Sequence, residues 1–218
     1  MDKKKYRLSD GLGRQNIVLM SGIAIAPVAV AATSLENAFA ISMALTIVAF
    51  LSVSVCRFIP RKVVYTIRVI VYALIAGAAL IPTYLAVRAF YGQDVLDSIG
   101  VYLPILAVNP LILTKTETRF SHRPFHLMLL ELAGYVTGFN LVCIAVGLVR
   151  ELLVYGRAGG FVVSDRIGVP AASTVFGGLI IVGVSAGLFR WIYNQSKQRR
   201  KRKHTQVKLP AFEESEVS

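Results

Sequence analysis

The chain has 218 residues, 55% of them hydrophobic and only 17% charged, with a mean hydropathy of +0.62 and a formal net charge of +12. Soluble globular domains carry roughly 25% charged residues, so this composition excludes an ordinary soluble domain and points to a membrane protein. About 20 apolar residues cross a bilayer core as a helix. Six such spans would leave only short loops and two tails, with no separate soluble domain.

In chain order, residues 1–15 form a basic tail and 16–193 a six-helix transmembrane domain. Residues 194–218 form a second basic tail. The spans are predicted at 16–34, 38–56, 63–86, 99–115, 126–149 and 171–193. The start, MDKKKYRLSDGLGRQ, is basic like the beginning of a signal peptide. The apolar run behind it leads into further spans without an A-x-A site, so no cleavage is expected. Backbone groups in lipid must bond internally. The runs of Leu, Val, Ile and Ala lack strand-like alternation, so an all-α membrane protein is expected.

Lysine and arginine set the direction. Eighteen of the 24 fall in the two tails and the loops after the second and fourth spans. Four fall on the other side, at Arg88, Arg150, Arg157 and Arg166; the remaining two, Arg68 and Arg190, lie inside spans. Both termini are therefore expected on the cytoplasmic side of the membrane. The run from Lys197 to Lys203 follows a span directly. It reads as an anchor against anionic lipid rather than a nucleic-acid site.

Spans 1–3 and 4–6 have similar lengths, and an odd number of spans per half inverts one half relative to the other. The first span of each half carries proline: Pro27 in the first, Pro104 and Pro110 around Asn109 in the fourth. Proline removes a helix hydrogen bond, so helices 1 and 4 are predicted to be interrupted. Paired interruptions of this kind point to a midplane site, here at Pro27, Asn109 and Pro110. Packing kinks are the structural alternative. Close helix contacts are predicted at Gly134-xxx-Gly138 and Gly183-xxx-Gly187.

Among ionisable groups in the spans, Arg68 and Arg190 are expected to snorkel to the interface. Arg150-Glu151 is expected at the outer interface. Glu131 reads either as part of an ion path or as a structural partner for an arginine or water. His122 and His126, four apart without a third ligand, read as loop residues. Cys56 and Cys143 read as small buried hydrophobes. No phosphate-binding glycine loop, metal-spaced cysteine set or catalytic triad occurs, so no catalytic or metal residue is assigned.

An ordered set of residues over about 11–156 resembles the membrane subunits of the Rnf and Nqr complexes, in particular the E subunit of Rnf and the D subunit of Nqr. Gly11, Leu12 and Asn16 match the entry segment of that family. Pro27 and Asn37 follow at its spacing. Ile99-Gly100-Val101-Tyr102-Leu103-Pro104-Ile105 matches its LGIFIPL, and Val108-Asn109 the start of its V-N-C. Glu117 falls in its G-R-A-E-A-F. Glu131 stands where the family has an Asp, and Gly147, Arg150, Glu151 and Leu152 match its G-x-x-R-E-L.

The resemblance implies a membrane subunit of a translocase that couples electron transport to Na⁺ or H⁺ transport. Such a subunit is not catalytic alone and sits beside a homologous six-helix subunit of opposite topology. In the family, cysteines of helices 1 and 4 of both subunits share a 2Fe–2S cluster. Here those two positions are Ala26 and Pro110, so no cofactor is expected on this chain alone. A stand-alone inverted-repeat transporter or channel, or a structural membrane scaffold, is the alternative function.

Overall fold

The computed structural model describes residues 16–22, 24–60, 62–120, 124–159, 161–162 and 168–208. The helices are α1 (Ile25–Ala31), α2 (Leu35–Cys56), α3 (Tyr65–Ile99), α4 (Leu103–Ala107), α5 (Pro110–Thr118), α6 (Phe125–Tyr155) and α7 (Val175–Lys208). A two-residue antiparallel pair, β1 (Arg157–Ala158) with β2 (Phe161–Val162), follows α6. The described residues are otherwise helices and their connections.

Four helical runs are long and apolar enough to cross a membrane: Leu35–Cys56, Tyr65–Thr118, Phe125–Tyr155 and Val175–Gln198. The chain is therefore a multi-pass membrane protein built from helices. The second, fifth and sixth predicted spans correspond to α2, α6 and α7. The third was expected to end at residue 86, but α3 continues to Ile99. Gly92 lies inside it at φ 83, ψ −179, where the helix kinks. The sixth was expected to end at residue 193. Instead α7 continues to Lys208, through the basic run.

Residues 16–34 and 99–115 do not form single long helices. The first stretch is a turn over residues 17–21 followed by seven-residue α1. The second is a 3-10 turn (Gly100–Tyr102), then α4, then α5. Proline occupies the first or second position of both α4 and α5. There its missing N–H costs nothing and its fixed φ starts the helix.

Helices α2 and α6 form the middle of the bundle. Ala38, Ala44, Leu45, Val48 and Ala49 of α2 are fully buried, as are Met128, Leu132, Tyr135 and Phe139 of α6. Small residues let the two backbones approach. A Cβ on Gly147 would lie 2.5 Å from Ala38 Cβ and 2.8 Å from Ser34 O. Asn140 Nδ2 donates to Thr46 Oγ1 at 3.0 Å across the same seam. Cys143 Sγ contacts Ala38 O at 3.7 Å. Cys143 and Cys56 are both free thiols and buried, as expected for small core residues. By contrast α3 and α7 present exposed apolar side chains such as Leu74, Ile81, Leu85, Val184, Leu188 and Trp191. Lipid tails suit that surface as well as another helix does.

The two glycine pairs differ. Gly134 and Gly138 are buried in α6, and Gly138 O accepts from Asn16 Nδ2 at 3.1 Å. Among the described residues the Gly183-xxx-Gly187 face meets no neighbour: a Cβ at either position would meet nothing within 4 Å. Spacing offered two small-residue faces, but only α6 has a neighbour there.

Candidate functional site: a pocket between two broken segments

Asn16 organises the first segment. Its Oδ1 accepts from Val18 N at 3.0 Å and Leu19 N at 2.9 Å, which winds one turn. The backbone then reverses at Gly22 (φ 67) and Ala24 (φ 63) before α1 begins. A left-handed conformation costs a non-glycine residue roughly 1 kcal/mol. Alanine tolerates it better than a branched residue would. Asn109 does the corresponding work at the second segment. Its backbone is extended, and its Oδ1 caps α5 by accepting from Leu111 N at 3.0 Å.

These two breaks face one another. A pocket of about 420 Å³ is lined by Gly22, Ala24, Ile25, Ala26 and Pro27 from the first, and by Ile105, Val108, Asn109 and Pro110 from the second. Residues 83 positions apart in sequence, Pro27 and Pro110, thus share one wall-to-wall space. Asn109 is the one polar side chain among the described residues that line it. It is 2% exposed, and its Nδ2 has no acceptor among the described residues. Nothing else lining the pocket carries a thiol, imidazole or carboxylate. Iron–sulfur clusters are held mainly by Cys thiolates, so these residues do not fit one. Cys143 is instead committed to the α2–α6 seam, and Cys56 ends α2.

Arg150 holds the first segment in place, a role that sequence reasoning missed. It is fully buried inside the protein. Its guanidinium donates to five backbone carbonyls. Nη1 reaches Ala29 O at 2.8 Å and Ala32 O at 3.2 Å, just after α1. Nε reaches Ala172 O at 3.0 Å, and Nη2 reaches Ser173 O at 2.8 Å and Thr174 O at 3.0 Å. The carbonyl end of a helix carries partial negative charge, which suits a cation. Gly178 of α7 allows the approach, since a Cβ there would lie 2.0 Å from Ala29 O. The adjacent Glu151 takes Leu35 N at 2.7 Å and Gly159 N at 3.0 Å. It thereby caps α2 and ties down the β1–β2 turn. The signal for this clamp was the Gly147, Arg150, Glu151 pattern itself.

Arg190 is exposed and also reaches the first segment. Its Nε and Nη2 donate to Leu19 O at 3.0 Å and Met20 O at 2.9 Å. The first segment is thus gripped by arginine on both sides of its break.

Glu131 lies elsewhere, at the other end of α6. It is 1% exposed and pairs with Arg119 Nε at 2.8 Å. Arg119 Nη1 donates to Tyr135 OH at 3.0 Å, and Lys115 Nζ sits 5.2 Å from the Tyr135 ring centre. Arg68 does not reach solvent alone either: it pairs with Glu117, whose second oxygen takes Tyr72 OH at 3.0 Å. The end of α5 is therefore joined to α6 through Arg119 and to α3 through Glu117. Among the described residues no three His, Cys, Asp or Glu side chains gather as a metal site. His122 lies outside the described residues, as do both terminal stretches, 1–15 and 209–218.

A bundle of apolar helices with two broken segments around a shared pocket defines a polytopic, helical membrane protein. The chain matches the family described as "Rnf-Nqr subunit, membrane protein" over residues 5–192. It belongs to that family. It is similar to the E subunit of the ion-translocating oxidoreductase complex of Edwardsiella ictaluri (strain 93-146), with 23% identity over 156 residues, 72% of this chain and 66% of the relative. The protein of the same name from Sodalis glossinidius (strain morsitans) is 24% identical over 156 residues, 72% and 67% of the two chains. That of Yersinia pestis (strain Pestoides F) is 23% identical over 158 residues, 72% and 66%. The match thus spans about two thirds of the length of these relatives.

Proposed function

We propose that the chain is a membrane subunit of an Rnf/Nqr-like ion-translocating oxidoreductase complex, one that does not itself ligate a cluster. The observation that carries this reading is the convergence of Ala26–Pro27 and Asn109–Pro110 on one pocket. The architecture of a shared midplane site is retained while its thiolates are replaced by Ala26 and Pro110. In this reading residues 16–34 and 99–115 are interrupted spans. They open two inverted three-helix halves, making six spans with both termini in the cytoplasm. The membrane is the bacterial inner membrane. The main partner is a homologous six-helix subunit of opposite topology, with further redox subunits around the pair. Na⁺ or H⁺ is the coupling ion class.

Gentle solubilisation from the native membrane tests the proposal. Co-purification with redox subunits is the expected result, and a chain that always isolates alone overturns it.

The missing thiolates also favour a second reading, a stand-alone transporter using the same pocket. Its test is solute or ion flux into liposomes holding this chain alone. Flux there would replace the first reading; none across a broad ion and solute screen would remove the second.

A further inference from the structure

A different cavity, of about 590 Å³, opens where α2 begins and α6 ends. Its chemistry is unlike the rest of the molecule. Glu36 and Glu151 line it together with Arg157, and Phe39, Tyr91 and Tyr155 supply aromatic surface. Among the described lining residues, two carboxylates against one guanidinium make a negative corner in a chain whose net charge is +12. The floor is preformed, because Glu151 bridges Leu35 N of α2 and Gly159 N of the β1–β2 turn. Each carboxylate oxygen keeps a further lone-pair site for an incoming donor. Glu36 and Arg157 are exposed and form no ion pair among the described residues.

Position narrows the ligand. The cavity sits at the terminal turns of two membrane-crossing helices, Leu35–Cys56 and Phe125–Tyr155, hence at the lipid–water boundary. Phe39 and Tyr155 of its lining are 43% and 62% exposed, leaving apolar surface open beside the carboxylates. Amphipathic aromatic rings favour that level of a bilayer. A ligand here carries a cation for two carboxylates and ring faces, an anion for Arg157, and an apolar tail.

We propose that this cavity binds the headgroup of a primary-ammonium phospholipid of the phosphatidylethanolamine class. The ammonium lies with Glu36 and Glu151 against the tyrosines, and the phosphate lies at Arg157. Phosphatidylglycerol offers the phosphate without the cation and meets two carboxylates. The proposal rests on membrane embedding alone and not on the electron-transport reading, so either stands or falls without the other.

The full-length chain in nanodiscs made from equal parts phosphatidylethanolamine and phosphatidylglycerol supplies the test. Native mass spectrometry counts the lipids that stay bound on release. Phosphatidylethanolamine is expected to be retained about fivefold over phosphatidylglycerol, the sum of one exposed ion pair and one cation–π contact. Glu36→Lys is expected to abolish the preference, with the thermal melt in detergent unchanged. Glu36→Gln, which keeps the size, is expected to reduce it and covers a failure of the lysine variant to fold. Equal retention of the two lipids overturns the proposal, as does a preference that survives both substitutions. Displacement of the lipid by free phosphoethanolamine would assign the site to a soluble amine and overturn the lipid reading.

Discussion

Arg150 Nη1 donates to Ala29 O at 2.8 Å, joining two residues 121 positions apart. This contact sets where the first segment lies, and with it the position of Ala26 and Pro27 on the pocket wall. Hydrogen bonds from a charged group contribute about 1.5–3 kcal/mol each. A guanidinium in a planar fork reaches several acceptors at once, which an ammonium does not. Arg150→Met is therefore expected to prevent accumulation of folded protein, and Arg150→Lys to lower the melting temperature in detergent while permitting insertion. Equal melting of wild type and Arg150→Lys would show that the clamp contributes little.

Glycines in α7 offer an internal contrast. Gly178→Ala places a methyl 2.0 Å from Ala29 O, a backbone atom that cannot rotate away. Overpacking of a filled interior costs about 1–3 kcal/mol, so this variant is expected to melt well below wild type. Gly183→Ala and Gly187→Ala meet open space and are expected to match wild type or gain slightly from helix propensity. Detergent thermal unfolding of the three variants checks the order.

For Glu131 the expected role is structural. Its pairing with Arg119 supplies the partner that an isolated buried carboxylate would lack. Removing one member of a buried pair costs about 3–5 kcal/mol. Glu131→Gln should lower the amount of assembled protein and leave activity per molecule intact. Loss of coupled activity at normal protein levels would instead place Glu131 on an ion path.

Topology is open to cysteine-accessibility labelling. Lys3 and Ser215 are expected on the cytoplasmic side and Asp94 and Arg157 outside, from the distribution of lysine and arginine. Labelling of either tail from outside intact cells would reverse the orientation.

Iron analysis and electron paramagnetic resonance on the isolated chain are expected to find no 2Fe–2S cluster. Cys143 lies in the α2–α6 seam and Cys56 at the end of α2, and Ala26 and Pro110 offer no thiolate. A stoichiometric signal lost in a Cys56→Ser, Cys143→Ser double variant would refute this.

Much of the helical plan was legible because hydropathy is a local property. Runs of about 20 apolar residues identify α2, α6 and α7 whatever surrounds them, although their ends moved. The prolines marked where residues 16–34 and 99–115 depart from long helices, since a proline acts on its own turn. What each arginine does was not legible. Arg68 and Arg190 read as snorkelling from their spans and Arg150 as interfacial, and none of those readings named the distant groups that each bonds.

By itself, then, the sequence determined that this is an apolar, helical, multi-pass protein and where proline breaks up its apolar runs, because both follow from residues within one or two turns. Only the tertiary structure decided that the two breaks meet at one pocket and that Arg150 is a buried clamp on five backbone carbonyls. It also decided that Gly177 and Gly178, and not Gly183 or Gly187, are the tight glycines of α7. Hydrogen-bond partners and close approaches depend on which segments pack together, and neither spacing nor composition within one span carries that information.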